Sequence, residues 1–483
     1  MSAGEAHAVA PNAPTPARPA AIPALDLAFA RGAVAGRVTV VVGCVTYAAL
    51  LVASYVSTIA PAFSYLGYTL NPAPAPYLAL GFLLGVLPSM WLPLRMTRPS
   101  VGVVWILYLL AYVPSVLMPL LSLVRPASDV VFLVMAVGAA FALLTLVPRL
   151  PRLYLRRLPV RPLAFWTVLV LLCGFLLLQV TNEHGVALDL PSLAAVYDVR
   201  EEYKEAEGGR LSRIGVSWIG NVLAPFLIAV ALVRRQPLRA LPGLLLLLYL
   251  FSITGFRSLL FAGLVLVVLY LASLWRGRMF GAILAWGGAA VVSGSWLLDQ
   301  TLQTIVFTGT FVRRLIATPG MLTGWYYDFF SDNPQVRLSH SVLGRWIEYP
   351  YEVAPPFLIG DRYFGRAETY ANANFWADAF ANFGFTGLFV ATVVVALVLW
   401  AFDASVGSGD ATRTRLAVLL LGVPAFTLSN TALTTTLLTH GLALALLLVY
   451  VVPSEMTAPW RGARPRRVRA EGWADAELEG ARS

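Results

Sequence analysis

The sequence predicts an all-α fold, a polytopic membrane bundle of about twelve transmembrane helices. Three observations predict it. Of 483 residues, 58% are hydrophobic and only 12% charged, where soluble domains carry about 25% charged residues. Mean hydropathy is +0.74. Apolar runs of membrane-spanning length recur along the chain, separated by clusters of arginine. Together these exclude a cytosolic enzyme, a disordered chain and a soluble secreted protein.

The elements follow in order. Residues 1–37 are rich in Ala and Pro and lack a continuous apolar core, so they read as a disordered cytoplasmic tail rather than a cleavable signal. Apolar spans are expected at 38–60, 75–94, 101–124, 128–148, 161–180, 214–233, 240–255, 258–275, 279–298, 384–402, 414–430 and 434–452. The pair at 240–275 is the weakest, being apolar apart from Gly255 and Arg257, and reads either as a tight hairpin or as a re-entrant pair. Residues 453–483 form a second cytoplasmic tail that carries the basic run 461–469.

Positive charge enriches cytoplasmic loops. Starting inside, this topology puts Arg31 and Arg37, Arg95 and Arg98, Arg149 to Arg161, Arg234 to Arg239, Arg276 and Arg278, and Arg413 and Arg415 on one side. The short outer loops keep only Arg125 and Arg257. The net charge of +10 therefore reports topology and anionic-lipid contact, not nucleic acid. Cys44 and Cys173 each lie in an apolar run and suit buried packing, not a disulfide or zinc.

Two outer loops are long, 181–213 and 299–383. The second needs structure of its own. Its segment 311–330 reads as an amphipathic helix on the outer leaflet, kinked at Pro319-Gly320.

Several chemistries are missing. No phosphate-cradling glycine motif and no HExxH occurs, and His7, His184, His340 and His440 are scattered, so neither a nucleotide nor a metal is expected. The spans hold almost no Asp or Glu, which weakens an ion-coupled transporter. The loop 61–75 has no carboxylate, which disfavours membrane glycosyltransferases that use an acid there.

What remains is cationic and polar. Arg257, in TGFRSLLF, reads either as a contact to a lipid-linked diphosphate or as an interfacial arginine touching a headgroup. Arg313 and Arg314 form a second phosphate clamp or a solvated face. Arg200, in VYDVREEY, adjoins two acids and could simply pair with them. His340, between Arg337 and Arg345, could take a proton from a sugar hydroxyl or have no role. Asn374, Asp378, Asn382 and Thr386 recur every four residues, one polar stripe on a helix, with aromatic Trp376, Phe380 and Phe383 beside it. Such a stripe suits sugar recognition, or capping and interhelical bonding.

Four segments, VYDVREEY (196–203), TGFRSLL (254–260), the RRLIATPGMLTGWYYDFF–SDNP stretch (313–334) and NANFWADAFANFGFTGLF (372–389), resemble the bacterial O-antigen and exopolysaccharide repeat-unit polymerases, the Wzy-type family, to which O-antigen ligases are related. The resemblance covers most of 38–452. It implies a GT-C-like, metal-independent, inverting glycosyltransferase without a cofactor. Such an enzyme polymerises undecaprenyl-diphosphate-linked oligosaccharides at the outer face of the bacterial cytoplasmic membrane, with both termini inside and a chain-length regulator or flippase as partner. By the same resemblance, Arg200, Arg257, Arg313 and Arg314 bind diphosphate, and His340 or Asp378 is the base. Asn374, Asn382 and Arg345 are the expected sugar contacts. The alternatives are a ligase of the same architecture or, in another class, an exporter of polysaccharide or lipid-linked sugar.

Overall fold

The computed structural model describes residues 23–457 apart from 157, 188, 192–195, 207, 275–278, 342 and 408–409, with side chains described from residue 34 onward, except at 197 and 204. The expectations placed on 1–22, Arg157, Arg276, Arg278 and the run 461–469 lie outside the described residues.

Every described element is helical. In chain order they are α1 (Pro23–Ser54), α2 (Ala75–Met90), α3 (Pro99–Ser122), α4 (Ala127–Arg149), α5 (Pro162–His184), α6 (Val196–Glu205), α7 (Arg210–Val233), α8 (Pro237–Thr254), α9 (Arg257–Leu274), α10 (Phe280–Leu302), α11 (Thr318–Asp332), α12 (Pro355–Phe364), α13 (Phe375–Val406), α14 (Ala411–Leu428) and α15 (Leu433–Val451). Among the described residues, eleven helices are long and apolar enough to cross a membrane, and the shorter apolar α2 stands at the remaining expected span. α1 begins at Pro23, so residues 23–37, assigned above to the tail, are already helical. Proline opens a helix without cost because the first N–H has no intrahelical partner.

α3 is the most enclosed helix and packs against α2, α11 and α14, while α1 lies along α10 and α9 along α14. The 240–275 region is a hairpin of two helices, α8 and α9, joined at Gly255, whose φ of 63° is left-handed.

Proline explains an unexpected regularity. Each of the four π-helical stretches among the described residues ends two residues before a proline: Tyr55–Ile59 before Pro61, Tyr108–Tyr112 before Pro114, Ile219–Leu223 before Pro225, and Thr308–Ala317 before Pro319. A proline ring clashes with the carbonyl one turn earlier and offers it no N–H. Widening the preceding turn by one residue relieves both problems and lets the helix continue.

This corrects the reading of 311–330. Pro319 follows the π stretch and stands in the first turn of α11. The segment does not lie on a leaflet surface. Pro319 to Tyr327 are buried, and α11 packs lengthwise between α3 and α13. Gly320 makes this possible, because a Cβ there would stand 2.3 Å from the Pro114 carbonyl oxygen.

The basic clusters gather at one end of the bundle, where they close helix termini. Arg37 donates to the carbonyls of Ser89 and Leu92, Arg98 to Leu150, Arg149 to Trp91, and Arg413 to Val449 and Tyr450. Cations there complement the negative ends of helix dipoles. There too, Asp403 of α13 accepts from the Ser100 amide and hydroxyl and stands 4.0 Å from Arg98.

Candidate functional site

The opposite end carries the long connections. Residues 63–74 fold over the end of α3, with the amides of Asn71 and Ala73 donating to Leu121 and Leu120. Tyr68 bonds the Thr318 hydroxyl at 2.6 Å. The Trp325 and Tyr363 rings stack at 5.2 Å, joining α11 to α12. Asp299, at the end of α10, accepts from the amides of Phe307 and Thr308 and so caps the π-helical stretch.

The four arginines singled out above all lie at this end, two of them, Arg200 and Arg313, on aromatic rings. Arg200 of α6 sits 5.6 Å from the Phe256 ring centroid. Arg257 follows Phe256 and opens α9. One turn further, Phe261 meets Phe311 at 5.6 Å. Arg313 lies 4.3 Å over Phe63 and 5.4 Å from Tyr68, whose hydroxyl accepts from it at 3.4 Å. Arg314 is exposed beside it.

Arg200 and Arg313 are half-buried, and among the described residues no carboxylate pairs with either. The expected pairing of Arg200 with its acidic neighbours is therefore absent. In each, the Nε is buried without a partner. A guanidinium on an aromatic face gains about 0.5–2 kcal/mol, which holds the group in place without neutralising its charge. By contrast, Arg125, which with Arg257 makes up the arginines of the short outer loops, is consumed by ion pairs to Asp328 at 3.1 Å and Asp332 at 2.8 Å, with Tyr363 donating to Asp328.

The α6 helix reaches Phe256 because residue 255 is glycine. A Cβ at 255 would stand 2.7 Å from the Val196 carbonyl oxygen, and φ is positive. Gly255→Ala is expected to cost about 1–2 kcal/mol in backbone conformation alone and to lift α6 away. Faster amide exchange across 196–205 would register this; unchanged exchange would contradict it.

The remaining candidates form a second group around the start of α13. Asn374 is fully buried. Its carbonyl oxygen accepts from the amides of Trp376 and Ala377, and its amide donates to Thr323 at 2.7 Å and to Ser115 and Pro319. Asn382, 2% exposed, donates to the Asp378 carbonyl and accepts from the Leu338 amide. Both side chains are spent inside the protein, which corrects their assignment to sugar. The stripe itself is also broken. Phe383 and Gly384 are non-helical, and exposed Thr386 falls beyond the break.

Asp378 is half-buried in the first turn of α13, near Tyr326 and Tyr370. Burial first, and then the Asp378 charge, raises the pKa of Tyr370. His340 is exposed, its ring 6.1 Å from that of Tyr349. Desolvation by the surrounding loop lowers its pKa from 6.5, so the imidazole is mostly neutral at pH 7. Arg345 is exposed on the same turn.

The structure thus gathers the candidates into two groups on either side of α11, with Trp325 toward Tyr68 and Tyr326 toward Asp378. Sequence reasoning missed Phe63 and Tyr68 as the bed of Arg313; they lie about 245 residues away, and no local pattern links them. Among the described residues, no three His, Cys, Asp or Glu side chains gather where they could hold a metal ion.

Comparison with protein-family models, with curated proteins and with solved structures finds no match for the chain. The fold defines the class, an all-helical, multi-pass membrane protein.

Proposed function

We propose that the protein is a membrane glycosyltransferase that polymerises undecaprenyl-diphosphate-linked oligosaccharide repeats into O-antigen-like or exopolysaccharide chains. What supports this reading most is Arg313. It is a half-buried guanidinium on two aromatic rings with no carboxylate partner among the described residues, at the same end as Arg200, Arg257 and Arg314. Such a group suits a diphosphate at the membrane boundary. In this reading the basic end faces the cytoplasm and the loop-bearing end faces outward.

The acceptor hydroxyl attacks the anomeric carbon of the donor, and the carbon–oxygen bond to undecaprenyl diphosphate breaks. The arginines take up the charge of the departing diphosphate. His340 or Asp378 receives the acceptor's proton. An exporter finds less support, because Ser115, Thr323 and Asn374 between the helices bond to one another rather than line a path.

Purified protein supplied with lipid-linked repeats is expected to yield a ladder of products. Transfer of one glycan to a different lipid would indicate a ligase instead. Arg257→Ala is expected to abolish the ladder with expression intact; unchanged chain lengths would remove Arg257 from the site.

A further inference from the structure

The break in α13 is clasped by a distant segment. At Phe383 and Gly384 the helix unwinds, and Gly384 takes φ 59°, ψ −147°, a conformation reserved for glycine. The carbonyls released there meet residues 336–338. The Val336 amide donates to Ala381 at 2.9 Å, and the Arg337 amide to Asn382 at 3.2 Å. The Leu338 amide donates to Asn382 Oδ1 at 2.8 Å. Gln335 presses on the unwound turn, with its amide nitrogen 2.7 Å from where a Gly384 Cβ would be.

This clasp is strained. Arg337 and Leu338 are consecutive non-glycine residues with φ of 50° and 58°, a conformation L side chains avoid. Something must hold them there, and Asn382 does so. Its Oδ1 takes the Leu338 amide while its Nδ2 donates to the Asp378 carbonyl at 2.8 Å. One amide side chain therefore joins the loop that carries His340 to the turn that carries Asp378.

We infer that Asn382 is a positioning residue. It locks residues 335–340 and 375–382 into one unit across the unwound turn, and this unit sets where His340 and Asp378 stand relative to the acceptor sugar. The inference rests on the transferase reading for its consequence and on geometry alone for the lock. Asn382 touches no substrate, because its side chain is buried and bonded at both Oδ1 and Nδ2.

Two variants test it in the full-length protein. In Asn382→Ala, exchange of the Leu338 amide is expected to accelerate about tenfold. Turnover of lipid-linked repeats is expected to fall about 10- to 100-fold in kcat, because a small displacement of a proton acceptor is costly. KM should stay within about twofold, the sign that ground-state binding is untouched. Asn382→Asp keeps an oxygen for the Leu338 amide but can donate to the Asp378 carbonyl only when protonated, so protection of the Leu338 amide should be recovered at acid pH and lost at neutral pH, even if the alanine variant folds poorly. Unchanged Leu338 exchange in Asn382→Ala overturns the lock. Faster exchange with wild-type kcat overturns the positioning role. Wild-type protein that transfers no glycan overturns the transferase reading instead, and the exchange measurement then still decides the lock.

Discussion

Arg313→Ala is expected to slow polymer formation about 10²- to 10³-fold in kcat, the usual consequence of removing one group that stabilises developing negative charge. The protein should remain folded. Arg313 makes no ion pair among the described residues, so its loss strands no buried carboxylate. What is lost from the fold is its stacking on Phe63 and Tyr68, about 0.5–2 kcal/mol. Arg313→Lys keeps the charge but not the flat, forked edge, and should fall between alanine and wild type. Product ladders read on gels, beside a melting curve in detergent, check both claims. A Arg313→Ala variant that polymerises at the wild-type rate would remove the carrying observation of the proposed function.

Gly320→Ala is expected to break the fold itself. The added Cβ would stand 2.3 Å from the oxygen, 2.4 Å from the carbonyl carbon and 2.7 Å from the Cβ of Pro114. Most of that obstacle is backbone and cannot swing aside, so α11 and α3 must separate. Separation strains the Ser115–Thr323 bond at 2.7 Å and with it the Asn374 knot that opens α13. A cost of about 3 kcal/mol or more follows, the upper range for overpacking. Size-exclusion chromatography in detergent should show loss of the monodisperse peak. Gly174→Ala on α5, where nothing lies within 4 Å of the new Cβ, is the control and should behave as wild type.

The span pattern was legible because membrane insertion is decided by local hydropathy. All twelve expected spans have a helix, and the 240–275 pair, read as a hairpin or a re-entrant pair, turns at Gly255. The gathering of the short-loop arginine clusters at one end was legible from the same alternation of spans. The interior of the 299–383 region was not. TPGMLTGWYYDFF has the mixed composition of an interfacial helix, and only the approach of Pro114 to Gly320 reveals it as buried. The stripe from Asn374 to Thr386 is regular in spacing, yet Gly384 unwinds it because residues 336–338 supply the missing donors.

The chain's own chemistry determined where helices long and apolar enough to cross a bilayer form, and that the short connections at one end carry clustered arginines. Those properties depend on hydropathy and charge within about twenty residues. Tertiary structure alone decided that Arg313 rests on Phe63, that Arg125 is spent on Asp328 and Asp332, and that Asn374 and Asn382 serve the backbone. Whether a polar group is spent or available depends on partners brought near by packing, and no local pattern encodes those.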